Sequence, residues 1–154
     1  MAEPMDVRVE MTGAERIVPL RHAVLRAGLP VETARFAGDE AGSSRHWAAV
    51  DEAGRIVGCV TLHENAWEGR PAYQLRGMAV AAEEQHRGVG RALLRAAEAF
   101  VRGTGVGRMW CNARTPAAGF YEAHGWVVMS AVFEIPTAGP HVKMVREVGG
   151  SERG

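Results

Sequence analysis

The stretch Gln85-His86-Arg87-Gly88-Val89-Gly90-Arg91-Ala92-Leu93-Leu94 decides how this chain is read. A strand-like run, Tyr73-Gln74-Leu75-Arg76-Gly77-Met78-Ala79-Val80, precedes it. A helical run from Arg91 to Val101 follows, with Leu93, Leu94, Ala97 and Val101 at helical spacing. Glycines therefore sit where the loop leaving a strand turns into a helix. The first N–H groups of a helix have no partner inside it, and the positive end of its dipole lies there. Glycine lets a ligand approach that backbone closely. Arg87 and Arg91 add fixed positive charge. The combination predicts an anion site, and a phosphate is the simplest anion to place in it.

Three phosphate patterns compete. A Walker A loop needs Gly-x-x-x-x-Gly-Lys-Ser/Thr, which the chain lacks. A dinucleotide fingerprint needs Gly-x-Gly-x-x-Gly or Ala directly after a strand. Here Leu93 stands where the third small residue belongs, and Ala81 to Arg87 separate the strand from the first glycine. The third pattern, Gln/Arg-x-x-Gly-x-Gly/Ala, is met by Gln85, Gly88 and Gly90. On these residues the chain resembles the GNAT superfamily, the Gcn5-related N-acetyltransferases, in which this loop binds the pyrophosphate of coenzyme A. A second block is similar to the family too. Arg108-Met109-Trp110-Cys111-Asn112-Ala113 reads as a buried strand, followed by Pro116-Ala117-Ala118-Gly119-Phe120-Tyr121-Glu122-Ala123-His124-Gly125-Trp126. A third block, Phe133 to Met144, resembles the closing hairpin of many members. The resemblance covers residues 7 to 148, in the first third by element order only.

Composition sets the bounds. A chain of 154 residues fits one domain with a proper core, expected over residues 1–150 with a frayed tail at 151–154. Hydrophobic content of 47% and charged content of 23% are ordinary for a globular protein. The formal net charge is +0, so nothing predicts general attraction to nucleic acid or an anionic membrane. No apolar run reaches membrane-spanning length, and Met1 to Asp6 lacks a signal-peptide pattern, which predicts a cytoplasmic protein. Cys59 and Cys111 each fall inside an expected strand, read as buried reduced thiols without metal-ligand spacing.

Along the chain, Val7–Met11 alternates as a first strand. Thr12 and Glu15 have the spacing of a capping box. The helix after it carries Ile17, Leu20, Val24 and Leu25 inward to Gly28, and Pro19 predicts a kink or a start just before it. Residues 28 to 45 read as a long loop. His46–Val50 and Ile56–Leu62 flank Asp51-Glu52-Ala53-Gly54-Arg55 as a hairpin. The strands at 72–80 and 108–113 are joined through a helix and so should be parallel. Further strands are expected near Trp126–Glu134 and His141–Glu147. The fold class is α/β: a central, mostly antiparallel mixed sheet with one parallel pair, flanked by helices. The resemblance implies the GNAT acyl-CoA N-acyltransferase fold, whose parallel pair splays to admit acyl-CoA. Gly77 suits such a splay, since a glycine inside a strand often marks a bulge or close backbone approach.

The resemblance also implies roles. The backbone of Met78, Ala79 and Val80 would bind the pantetheine arm, with oxyanion stabilisation from N–H groups near Met78. Gln85, His86, Arg87, Gly88, Val89, Gly90, Arg91 and Ala92 would hold the pyrophosphate. Asn112 would hydrogen-bond the pantetheine; of the other residues grouped with the cofactor, His124 reads as a surface or cofactor-phosphate contact and Phe120 as core. Tyr121 matches the tyrosine near the thioester sulfur, where a phenol can protonate the leaving thiolate. The strand before the glycine loop offers Gln74 and Arg76 where many members carry a basic glutamate. Glu64, His63 and His141 are the replacement candidates, with Glu64 and His63 on opposite faces of their strand. Arg21, His22 and Arg26, walled by Trp47 and Trp67, would form the acceptor pocket and favour a carboxylate or phosphate. The resulting expectation is an enzyme that transfers an acetyl group from acetyl-CoA to a primary amine of a small molecule or amino-acid derivative, by direct attack in a ternary complex, with a peptide or protein terminus as the alternative acceptor. No metal is implied. Homodimerisation is common in the family, and the sequence does not show it. The rival reading is a non-catalytic acyl-CoA-binding sensor of the same fold.

Overall fold

The computed structural model describes residues 7–149, so the expected fraying at 151–154 lies outside the described residues. Its strands are β1 (Val7–Thr12), β2 (Arg45–Asp51), β3 (Ile56–Glu64), β4 (Tyr73–Val80), β5 (Arg108–Arg114), β6 (Val127–Val128), β7 (Phe133–Ile135) and β8 (Gly139–Glu147). Its helices are α1 (Ala14–Leu25), α2 (Val89–Thr104) and α3 (Ala118–Ala123). The sheet is mixed, as expected. The chain packs as two compact units, one of Met1–His63 and Leu75–Ala99, the other of Glu64–Gln74 and Phe100–Gly154. Strand β4 and helix α2 contribute residues to both.

In the first unit the strand order is β1-β2-β3-β4. β1 pairs antiparallel with β2 from Val7↔Asp51 to Thr12↔His46. β2 pairs antiparallel with β3 from Arg45↔Leu62 to Val50↔Ile56, with a register shift at Ala49/Val50. The Asp51 carboxylate closes the expected hairpin turn by accepting from the N–H groups of Ala53 and Arg55. Trp47–Val50 and Val57–His63 are buried without interruption, so these strands are covered on both faces. On one face Ile17, Leu20, Val24 and Leu25 of α1 pack with Ala48, Val50, Cys59 and Ala79. Gly58, which points the other way from Cys59, receives Val89 and Leu93 of α2.

Two local expectations fail at α1. The capping box does not form: Gly13 is the N-cap and no side chain caps the helix. Glu15 instead takes a bidentate pair with Arg35 at 3.0 and 3.1 Å. The helix starts at Ala14 rather than just before Pro19, which lies inside it. A mid-helix proline costs about 3 kcal/mol, but Ile17, Val18 and Arg21 around it are all buried, and packing of that face holds the helix together.

The second unit has the order β4-β5-β8-β6, with β7 also on β8. The first residues of β4 pair parallel with β5, as the connecting helix requires, at Tyr73↔Met109 and Gln74↔Trp110. β5 and β8 pair antiparallel from Arg108↔Glu147 to Arg114↔His141. The strand expected near 126–134 is two short strands, because the ladder breaks where the Lys143 N–H donates to Ser130 Oγ at 2.8 Å. Trp67, Ala72, Trp110 and Val145 form the core here, the indoles 5.5 Å apart. No helix among the described residues is long and apolar enough to cross a membrane.

Candidate active site

The glycine loop belongs to the first unit. After β4 the chain is tied to β3 by the bond from Ala81 N–H to Val57 O at 2.8 Å. It then makes a 3₁₀ turn over Ala82–Glu84. Gln85 reaches back and donates to Val80 O at 3.1 Å, fastening the loop to the strand end. His86 and Gly88 adopt left-handed backbone, φ 66° and 89°. Gly88 immediately precedes α2 and its carbonyl accepts the first helical bond, from Ala92 N–H at 3.0 Å. It has no side chain to cap the helix, so nothing of its own competes with a ligand for the N–H groups of the first turn. Gly88 and Arg87 are exposed, as is Arg91, while Val89 is buried and anchors the helix. The Arg87–Glu84 pair at 3.8 Å is loose and exposed, and holds Arg87 only weakly. A cleft of about 830 Å³ beside the loop is lined by Leu20, Val24, Ile56, Val80, Glu83 and Gln85.

Further back on β4, Gly77 has φ 66°, and a Cβ there would stand 3.1 Å from both Arg21 Nε and Phe36 Cε2. Its carbonyl accepts weakly from the Cys59 thiol at 3.7 Å. The positive φ interrupts the extended repeat just before Met78, Ala79 and Val80, and only glycine takes it without strain. Arg21 is wholly buried. It donates to Asp39 Oδ2 at 2.6 Å, to Ala34 O at 2.8 Å and to Thr61 Oγ1 at 2.8 Å. His46 bridges Thr61 and the Asp39 carbonyl, and His63 Nε2 stands 3.3 Å from Asp39 Oδ1. Burial raises the Asp39 pKa, but the bonds from His63 and Arg21 outweigh it and hold the carboxyl well below the usual range.

The second unit carries the other candidates. Asn112 is half-buried on β5, and its Oδ1 accepts from Lys143 Nζ at 3.1 Å. That leaves its NH2 as a donor. Lys143 Nζ also lies 5.0 Å from the Trp110 ring centroid and 5.1 Å from that of Phe133. Tyr121 is buried on α3 between Phe120, edge-on at 5.1 Å, and Trp126 at 5.3 Å. Burial, with a smaller push from the Cys111 thiol, drives its pKa far above that of a free phenol. A phenol so placed stays protonated across the working range. His124 is held by its Nδ1 to Phe120 O at 2.8 Å, its ring 4.8 Å from Phe120.

A sequence model for the acetyltransferase (GNAT) family matches residues 16–126. The chain belongs to the GNAT family of acetyltransferases. It is 28% identical to the uncharacterized N-acetyltransferase YitI of Bacillus subtilis over 143 residues, covering 91% of this chain and 95% of that one. A GCN5-related N-acetyltransferase from Kribbella flavida superposes with a TM-score of 0.73 at 24% identity, over 92% of this chain and 98% of that one. An aminoglycoside 6'-N-acetyltransferase complexed with coenzyme A superposes with a TM-score of 0.75 at 14% identity, over 95% and 99%. At these identities the two structures establish the GNAT fold.

For a GNAT chain, the base candidates on β3 and β8 are differently placed. Glu64 is exposed, His63 is buried against Asp39, and His141 is buried with Nδ1 2.8 Å from Gly139 O. Of the expected basic cluster, Arg21 and Arg26 converge on the Phe36 ring. Arg21 is neutralised by Asp39, and His22 turns to Leu29 O at 2.7 Å. Trp47 is buried in the first unit, and Trp67 is buried in the core of the second. The sequence reading missed Gly58, Phe36 and Asp39. Gly58 carried a signal, a glycine inside an apolar strand. Asp39 carried none, because its partners are 18 and 24 residues away.

Proposed function

We propose that this chain transfers an acetyl group from acetyl-CoA to a primary amine of a small molecule or amino-acid derivative. The observation that carries the reading is the start of α2: a left-handed Gly88, no capping side chain, and exposed Arg87 and Arg91. Such a helix end suits a pyrophosphate. The N–H groups of the first turn of α2 would hold the pyrophosphate, with Arg87 and Arg91 supplying charge and Gln85 keeping the loop in place. In the first unit the Met78–Val80 backbone would bind the pantetheine arm; in the second, the roles that the resemblance implies are a pantetheine hydrogen bond from the Asn112 NH2 and a cofactor-phosphate contact from His124. Acetyl-CoA supplies an activated thioester and a thiolate leaving group. The neutral acceptor amine would attack the thioester carbonyl directly in a ternary complex: the C–N bond forms and the C–S bond breaks. The proton released by the nitrogen passes to solvent, from which the Tyr121 phenol is restored after it protonates the thiolate. N–H groups near Met78 stabilise developing negative charge, and Tyr121 holds the proton that the thiolate needs.

The test is CoA release from acetyl-CoA across a panel of amines, amino acids, polyamines and short peptides. Turnover with one class of acceptor upholds the reading. Tight acetyl-CoA binding with no turnover across the panel favours the sensor reading, which the absence of a carboxylate on β4 supports.

A further inference from the structure

The ring of Phe36 lies under three guanidinium groups. The Cζ atoms of Arg21, Arg76 and Arg26 stand 3.9, 4.4 and 5.2 Å from its centroid. Like charges gathered this closely repel, and a ring face offsets only part of that. The Arg21 charge is answered by Asp39. Arg76 is different. It is half-buried and makes neither a hydrogen bond nor an ion pair among the described residues. The exposed Arg8, Arg16, Arg35 and Arg55 each find a carboxylate, yet the more buried Arg76 finds none. Burial and, next, the Arg21 charge push its pKa down, although an arginine keeps its proton. A planar fork of N–H donors held on an aromatic ring is suited to a bidentate anion.

Position says which anion. Arg76 precedes Met78 by two residues on β4, the strand proposed to hold the pantetheine arm. Gly77 between them lets Arg21 and Phe36 press against the strand, so the ring that seats Arg76 is fixed to it. We infer that Arg76, seated on Phe36, binds a carboxylate of the acceptor, and that the acceptor is an amine that also carries a carboxylate. This deepens the transferase reading above and rests on it.

Calorimetric titration of the CoA-saturated protein with β-alanine, γ-aminobutyrate and the common amino acids, each beside its carboxamide, reads the site without turnover. At least one carboxylate should bind about 10–100-fold more tightly than its amide, as for a charge-assisted hydrogen-bond pair. That preference should fall to near unity in Arg76→Gln. Arg76→Lys, which keeps the charge but loses the fork, should retain part of it and guards against a variant that merely unfolds. Absence of any carboxylate preference, or one that survives Arg76→Gln, overturns the inference. Transfer assays on the same pairs separate the two readings. Turnover of amines without carboxylate preference leaves the transferase reading standing and removes this one. An Arg76-dependent carboxylate preference without turnover of any amine leaves Arg76 as a carboxylate site but overturns the inference that its ligand is an acetyl acceptor.

Discussion

A Cβ built on Gly58 of β3 would stand 2.8 Å from Cγ1 of Val89, the first residue of α2, and 2.9 Å from Cδ1 of Leu93. Both neighbours are buried in the core. The close fit sets where the helix begins, and so where its first N–H groups lie. Replacing a strand glycine by alanine ordinarily gains about 0.5–1 kcal/mol. Here overpacking costs about 1–3 kcal/mol and prevails. Gly58→Ala should lower Tm and weaken CoA binding together, read by thermal unfolding and calorimetry. A destabilised variant that binds CoA as well as the wild type would show that the loop does not depend on this contact.

The Arg21–Asp39 pair makes the fold acid-sensitive in a defined window. Asp39 has its pKa lowered from 3.8 on folding, so its contribution to stability is complete above about pH 4 and is lost as pH falls below that. The surface carboxylates of Glu10, Glu15 and Asp51 are lowered too, but solvent-screened pairs add little. Asp39→Asn leaves the buried guanidinium unpaired, and should cost about 3–5 kcal/mol at pH 7. Denaturant unfolding from pH 7 to pH 3 should show a wild-type decline below pH 4 that is much shallower in Asp39→Asn. Parallel curves would assign the acid sensitivity to other groups.

What could be read in advance followed from the range of each interaction. The glycine loop, the hairpin around Asp51 and the face of α2 are local patterns, and their residues fold as their neighbours dictate. Gly77 was legible as an irregular point because a glycine inside a strand has few other uses. Arg21 was not. On a helix, a buried arginine and a solvated one look alike, and the partner that buries this one lies in an irregular loop. Glu15 shows the same limit: its spacing from Thr12 suits a cap, yet Arg35, 20 residues on, takes it. The indole of Trp67, expected to wall the acceptor site, is held by Trp110, a contact between distant segments that no periodicity encodes.

Burial pushes both thiols, Cys59 and Cys111, up to about 12. A raised thiol pKa means that the nucleophilic thiolate is scarce across the working range. Ellman's reagent at pH 8 should therefore leave the native protein unmodified, and titrate both cysteines once it is unfolded in guanidinium. Fast reaction of either thiol in the native state would mean that its strand opens readily.

Tyr121→Phe separates the chemistry of the hydroxyl from the packing of the ring. The ring contacts with Phe120 and Trp126 survive the change. The hydroxyl has no hydrogen-bond partner among the described residues, so stability should move by less than about 1 kcal/mol. If the phenol delivers the proton to the leaving thiolate, kcat should fall by about 10²–10⁴-fold with little change in KM for either substrate. The pH profile gives a second reading. Because burial raises the Tyr121 pKa, the wild-type rate should show no loss attributable to this group as pH rises to 10. A variant with wild-type kcat would remove Tyr121 from the reaction and leave it as a packing residue of α3.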